Sequence, residues 1–206
     1  MLQQGMSRFT PAFLKSRLSL NPPASEPAPG LQPAGVLAPM FFLHDEPHLL
    51  FTQRTLTVRD HRGQISFPGG VKSPQDPDLL VTALRETREE IGLEPEEVEV
   101  IGRLKSLATV TGYWINAFVG FIPYPYEFRL NAREVKRLIL LPLEGFCTPK
   151  RWSSGDYTYN EKTVPVCYWK YQGTVIWGAT ARLLLDLLHR LGENPFPEDD
   201  DAPCVD

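Results

Sequence analysis

Apolar residues fall along this chain in two rhythms. Short runs rich in β-branched, aromatic and aliphatic side chains, at residues 35–43, 49–53, 98–106, 114–122, 135–141 and 164–171, read as strands, since their length and content suit a pleated surface. Two longer stretches repeat at helical spacing instead. Residues 77–91 set Leu80, Ala83, Leu84, Thr87 and Ile91 along one stripe; residues 178–191 do the same with Leu183, Leu184, Leu187, Leu188 and Leu191, a stripe that reads as core packing alone. One helix between the second and third strands and another at the end predict an α+β fold, a mixed sheet covered on both faces. No internal repeat suggests a solenoid or propeller.

Both ends break the pattern. Residues 11–20 read as an amphipathic first helix, and the many prolines of 21–33 make that stretch an extended connector. From Asn194 onward, Pro195, Pro197 and Pro203 surround an acidic stretch at 198–201, which reads as a mobile tail. The expected organisation is therefore a helix and connector over 1–33, one globular domain over 34–193 and an acidic tail over 194–206.

Composition narrows the classes of partner. A formal net charge of −4 without a dense Lys/Arg run lacks the electrostatic footprint of a duplex nucleic-acid binder, although it leaves room for a locally basic phosphate pocket. No run reaches the roughly 18–20 apolar residues that span a bilayer, so no membrane partner is expected. Residues 1–25 carry Arg8, Lys15 and Arg17 and no acid, which weakly resembles an organelle transit peptide; the amphipathic helix is the preferred reading. Cys147, Cys167 and Cys204 are odd in number and form no CxxC pair, which fits a reducing, cytoplasmic setting, and Cys167 reads as a buried small hydrophobe.

The densest chemistry lies in the run Arg-Glu-Thr-Arg-Glu-Glu-Ile-Gly-Leu from Arg85 to Leu93. At helical spacing Glu86, Glu89 and Glu90 fall within about 100° of arc beside the apolar stripe. Three like charges near a helix C-terminus, where the macrodipole disfavours anions, cost stability unless a cation offsets them. Oxygen-only ligands suit a hard ion, Mg²⁺ first, with Mn²⁺ or Ca²⁺ as substitutes. The competing reading is a solvated acidic face. Gly92 fits the left-handed position that ends a helix, and Arg85 stands one turn before Glu89, where it can hold that carboxylate. Upstream, Phe67-Pro68-Gly69-Gly70 forms a turn whose glycines let the backbone approach a ligand closely. Arg54, Arg59 and Arg62 lead into that turn and form a candidate phosphate clamp, set against the ordinary reading of arginines on a surface loop.

Turn and helix together resemble the box of the Nudix hydrolases, in which a glycine, five residues, a glutamate and seven residues precede Arg-Glu-aliphatic-any-Glu-Glu-any-Gly-aliphatic. The second half stands here as Arg85 to Leu93, with Thr87 replacing the aliphatic residue. The first half departs: counting from Gly70, Asp76 occupies the glutamate slot and Arg85 follows nine positions later instead of eight, which leaves Asp76 without an assigned role. From Leu50 the chain reads Leu-Phe-Thr-Gln-Arg-Thr, then Arg59, Gly63 and Phe67-Pro-Gly-Gly at intervals of three intervening residues. That pattern is similar to the signature ahead of the box in the coenzyme A pyrophosphatase branch, with Phe51 and Thr55 as departures. A looser likeness continues to about residue 191.

The resemblance implies a Nudix-like α/β/α sandwich and Mg²⁺-dependent hydrolysis, with Mn²⁺ as substitute. The bond cleaved would be the diphosphate of coenzyme A or its thioesters, giving 3′,5′-ADP and 4′-phosphopantetheine or its acylated form. Glu86, Glu89 and Glu90 would hold the metal, Arg54, Arg59, Gly69 and Gly70 the substrate, and Arg85 and Gly92 would support the site. Glu89 or Glu134, which precedes a strand, would serve as general base. Tyr113, Trp114 and Trp177 read first as packing groups, with stacking on adenine as the alternative. The implied partner is a small molecule, and a homodimer is left open. Two rivals also stay open: a Nudix hydrolase of ADP-ribose or NADH, and a Nudix-fold regulator that binds a nucleotide without cleaving it.

Overall fold

The computed structural model describes residues 7–18, 29–56 and 63–196. Arg59, Arg62 and Cys204, with most of the connector and the acidic tail, lie outside the described residues. In chain order the elements are α1 (Pro11–Leu18), β1 (Gln32–Leu43), β2 (Glu46–Arg54), β3 (Ile65–Ser66), β4 (Gly69–Val71), α2 (Leu79–Ile91), β5 (Glu99–Arg103), β6 (Leu107–Ala108), β7 (Tyr113–Phe121), β8 (Val135–Pro142), β9 (Trp152–Tyr159), β10 (Lys162–Tyr171), β11 (Thr174–Trp177) and α3 (Gly178–Leu191). All six runs read as strands carry one, and both helical stretches are helices.

The larger sheet runs β3-β2-β1-β7-β5, with β4 also beside β1, β6 beside β7 and β8 beside β2. It is mixed, because β1 pairs in parallel with β7 (Ala34 opposite Ile115, Met40 opposite Phe121) whereas its other pairings are antiparallel. Period-two alternation along its central strands feeds two separate cores. Leu37 and Phe41 of β1, Leu50 of β2 and Phe118 of β7 pack with Ala83 and Ile91 of α2. Ala38, Met40, Leu49, Phe51, Ala117 and Val119 point to the opposite side and join the leucines of α3. The result is the α/β/α sandwich that the sequence predicts.

A second, antiparallel sheet, β11-β10-β9, was not anticipated, and it takes residues 164–171 away from the main sheet. The first helix is also more integrated than an arm ahead of a connector. Phe9, Leu14 and Leu18 are essentially inaccessible to solvent and belong to the same core as α3. Cys167 is fully buried on β10, as expected, and is disulfide-bonded; Cys147 is free. Among the described residues no helix is long and apolar enough to cross a membrane.

α2 begins later than its periodicity suggests because Asp78 is its N-cap. The backbone of Asp78 is extended and its carboxylate accepts from the Val81 N–H at 2.9 Å, a cap worth about 1 kcal/mol. At the other end Gly92 adopts φ 71° and donates its N–H to Arg88 O at 2.8 Å, the left-handed stop expected of it. Thr87, the polar residue in an aliphatic slot, is completely buried, and its hydroxyl donates to Ala83 O at 2.7 Å, so nothing polar is stranded against the sheet.

Candidate active site at the end of the acidic helix

β4 lies against β1 with Gly70 opposite Gly35 and Gly69 opposite Val36, and α2 packs across both strands. This brings the glycine turn onto the acidic helix. A Cβ on Gly70 would sit 2.5 Å from the Glu86 carboxyl carbon, so only glycine lets that carboxylate lie on the turn. Gly69 contributes a backbone N–H to Glu90. Of the three helical carboxylates, Glu90 is buried, Glu86 is half-buried and Glu89 is exposed.

Two arginines organise them. Arg85 is a hub, with Nε and Nη2 donating to the two oxygens of Asp76 at 3.0 Å each, and Nη1 reaching Glu86 at 2.8 Å and Glu89 at 3.2 Å. Asp76 is itself buried and accepts further hydrogen bonds from Thr82 Oγ1 at 3.0 Å and the Ser73 N–H at 2.9 Å. The Arg85 guanidinium therefore holds the Asp76 carboxyl well below the usual carboxylate range, against the opposing effect of burial. The residue left without a role by its place in the box is the anchor of the hub. The second arginine, Arg54, approaches Glu90 Oε1 with Nη1 at 3.6 Å.

Burial dominates the protonation of the inner carboxylates. It pushes Glu90 up to about 8; the neighbouring Arg54 pulls in the other direction, and the negative charges of Glu134 and Glu86 add to the rise. Glu86 is also raised, again chiefly by burial and partly offset by Arg85. Glu134 stands just ahead of β8, half-buried, and accepts from Asn131 Nδ2 at 3.1 Å through one oxygen. Its charge is felt by both Glu86 and Glu90, which places it in their neighbourhood.

The donor set fits a divalent cation. Glu90 Oε2 is buried without a hydrogen-bond partner, and three carboxylates repel one another around it. Among the described residues no three acidic, histidine or cysteine side chains converge into a ready-made ligand cluster. Here Arg85 holds Glu86 and Glu89, and Arg54 faces Glu90.

Beside the carboxylates opens a cavity of about 490 Å³. Arg54, Gly69 and Gly70 form its floor, and its far wall comes from Tyr157, Val164, Val166 and Trp177 of the second sheet and from Ala179, Thr180 and Leu183 at the start of α3. Of the three aromatic candidates, Tyr113 and Trp177 line this space and Trp114 does not. The Trp177 ring rests between Tyr157, at 5.0 Å, and Tyr168, at 6.1 Å, which supports packing as its first role. Sequence reasoning missed the second-sheet wall, Asn131 and Asp76; only Asp76 gave a signal, as a carboxylate near the expected slot.

A NUDIX domain model matches residues 33–158. The chain is 33% identical over 175 residues to a protein of Photorhabdus laumondii described as an uncharacterized Nudix hydrolase NudL, covering 85% of this chain and 93% of that protein. The NudL of Cronobacter sakazakii is 34% identical over 183 residues, covering 89% and 95%. Among solved structures, a C. elegans Ap4A hydrolase binary complex aligns with a TM-score of 0.48 at 20% identity, over 54% of this chain and 80% of that one. The family match covers more than half of the sequence and the curated relatives align over nearly their whole length, so the chain belongs to the Nudix hydrolases, enzymes that act on nucleoside-diphosphate compounds.

Proposed function

We propose that this Nudix hydrolase cleaves the diphosphate of coenzyme A or its thioesters, releasing 3′,5′-ADP and 4′-phosphopantetheine or its acylated form. The observation that carries the substrate is the cavity beside the carboxylates. It starts at Arg54, Gly69 and Gly70, all within the segment whose pattern resembles the coenzyme A branch, and continues into a chamber walled by Ile115, Val164, Val166 and Leu183. A diphosphate at the mouth would place an extended pantetheine arm, with any acyl group, against that apolar wall.

Glu86, Glu89 and Glu90 are the residues that would hold Mg²⁺, or Mn²⁺ in its place. When bound, the ion supplies charge neutralisation at the diphosphate and a water of lowered pKa. The protein residues do the rest. The backbone at Gly69 and Gly70 and the Arg54 guanidinium position the phosphates, and the Asp76–Arg85 hub fixes Glu86 and Glu89 on the helix. Glu134 is the better placed general base: it is half-buried near Glu86 and Glu90 with one oxygen held by Asn131, whereas Glu89 is exposed and tied to Arg85.

The test is direct. Purified protein with Mg²⁺ is given coenzyme A, acetyl-coenzyme A, ADP-ribose and NADH in parallel, and the products are separated. Formation of 3′,5′-ADP is expected. Turnover of ADP-ribose or NADH with no 3′,5′-ADP would overturn the substrate, and tight binding with no turnover of any compound would make the chain a nucleotide-binding regulator.

A further inference from the structure

Arg54 and Glu90 form an unusual pair. Both side chains are largely withdrawn from solvent, with exposures of 24% and 5%, yet their closest approach is 3.6 Å, too long for a good charge-assisted hydrogen bond. Each also keeps an unsatisfied polar atom: Arg54 Nε and Glu90 Oε2 are buried with no partner. A buried ion pair repays its desolvation only when the remaining donors and acceptors are also met. This one is left half-made from both sides, unlike the neighbouring Asp76–Arg85 pair, in which both Asp76 oxygens and two guanidinium nitrogens are engaged at 3.0 Å. Arg54 also lines the cavity floor beside Gly69 and Gly70. Its guanidinium therefore stands beside the space where a ligand phosphate would lie.

We propose that Arg54 is an exchangeable counterion: it stands against the Glu90 carboxylate whenever that group is ionised in the metal-free protein and gives way to the divalent cation, whereupon its guanidinium turns to the substrate diphosphate. This rests on the diphosphate-hydrolase reading for the second half of the exchange only. Arg54 is thereby a positioning residue that makes metal occupancy and phosphate binding interdependent. The fixed cation of the site is Arg85, held by Asp76, and the mobile one is Arg54. An arginine that simply braced Glu90 for the metal would behave in the opposite way, since its loss would weaken metal binding.

The deciding measurement is Mn²⁺ binding to the full chain without substrate, by calorimetry and by the electron paramagnetic resonance signal of free Mn²⁺, at the same series of pH values for every variant, so that competition by protons is separated from competition by Arg54. Arg54→Gln is expected to bind Mn²⁺ roughly fivefold or more tightly than the wild type, as removal of a coupled competitor requires. Arg54→Lys, which keeps the charge, should stay near wild type. Arg88→Gln, which removes an exposed cation paired with Glu94, controls for net charge and should also stay near wild type. Unchanged or weaker Mn²⁺ binding by Arg54→Gln overturns the exchange. Should that variant fail to fold, the arginine Nε resonances of ¹⁵N-labelled wild type decide the matter, with Arg54 assigned by its loss in Arg54→Lys. The Arg54 signal is expected to move in step with added Mg²⁺, and a stationary signal overturns the proposal. Because no substrate is present, tighter Mn²⁺ binding in a protein that cleaves nothing would refute the hydrolase reading and leave the exchange standing.

Discussion

Asp76→Asn should unfold this protein more easily than any substitution among the exposed glutamates, and the size of the effect follows from the hydrogen bonds. The carboxylate accepts from Arg85 Nε and Nη2 at 3.0 Å each, from Thr82 Oγ1 at 3.0 Å and from the Ser73 N–H at 2.9 Å. An asparagine amide of the same shape offers one acceptor and turns donors towards a guanidinium. Breaking a buried ion pair costs about 3–5 kcal/mol. The Arg85 side chain, however, is 30% exposed and keeps Glu86 and Glu89 as partners. Discounting for that exposure leaves about 2–4 kcal/mol. In a chain of this size such a loss lowers the melting temperature by roughly 5–15 °C. The effect carries a pH signature. Because the folded Asp76 is depressed below its ordinary 3.8, its contribution is fully present above that value and fades as pH falls below it. Urea unfolding followed by tryptophan fluorescence, with Arg85→Gln and the double variant completing a cycle, measures both quantities. A destabilisation under about 1 kcal/mol at neutral pH, or one that does not shrink in acid, would refute the hub as described.

Three further outcomes are expected. Glu90→Gln should stay folded and lose most hydrolysis; the metal-free wild type, whose Glu90 is raised from 4.5 to about 8, should lose stability as pH rises across that interval, and the variant should not, which melts at a series of pH values will check. Gly70→Ala, which sets a methyl group 2.5 Å from the Glu86 carboxyl, should weaken Mn²⁺ binding while leaving the melt within a few degrees; unchanged metal affinity would show that Glu86 is not a ligand. Val164→Trp, which fills the far wall of the cavity, should reduce turnover of long acyl thioesters far more than that of ADP-ribose, read as a ratio of kcat/KM values.

The parts of the fold that the sequence made legible are those with a strong period. Leu183 to Leu191 repeats every three or four residues, and α3 spans the predicted interval. β1 and β7 are long and apolar, and both were found within a few residues of their ends. β9 was invisible because its residues, Trp-Ser-Ser-Gly-Asp-Tyr-Thr-Tyr, are mostly exposed and earn their pairing from β10, not from a core face. The carboxylates of the site could be read because helical spacing fixes them within a single turn or two. Asp76 gave only a weak signal and Asn131 none: the ion pair of Asp76 depends on the loop between β4 and α2 lying against Arg85, and the bond from Asn131 to Glu134 on a local turn, neither of which the local sequence marks. The far wall of the cavity was hidden for the same reason. Tyr157 and Val164 are opposed across a strand pair, and nothing in their local sequence marks them as neighbours of Gly70.

The main sheet keeps its two apolar clusters apart, with α2 seated on one and α3 on the other. The candidate carboxylates stand on α2, whereas the far wall of the cavity beside them comes from β9, β10 and the opening turn of α3. A combinatorial library confined to β9, β10 and the opening turn of α3 can resculpt what the cavity admits while the carboxylates, their arginine hub and the core beneath them go untouched. On the proposed function, such a library would change what the cavity admits without changing the carboxylates themselves.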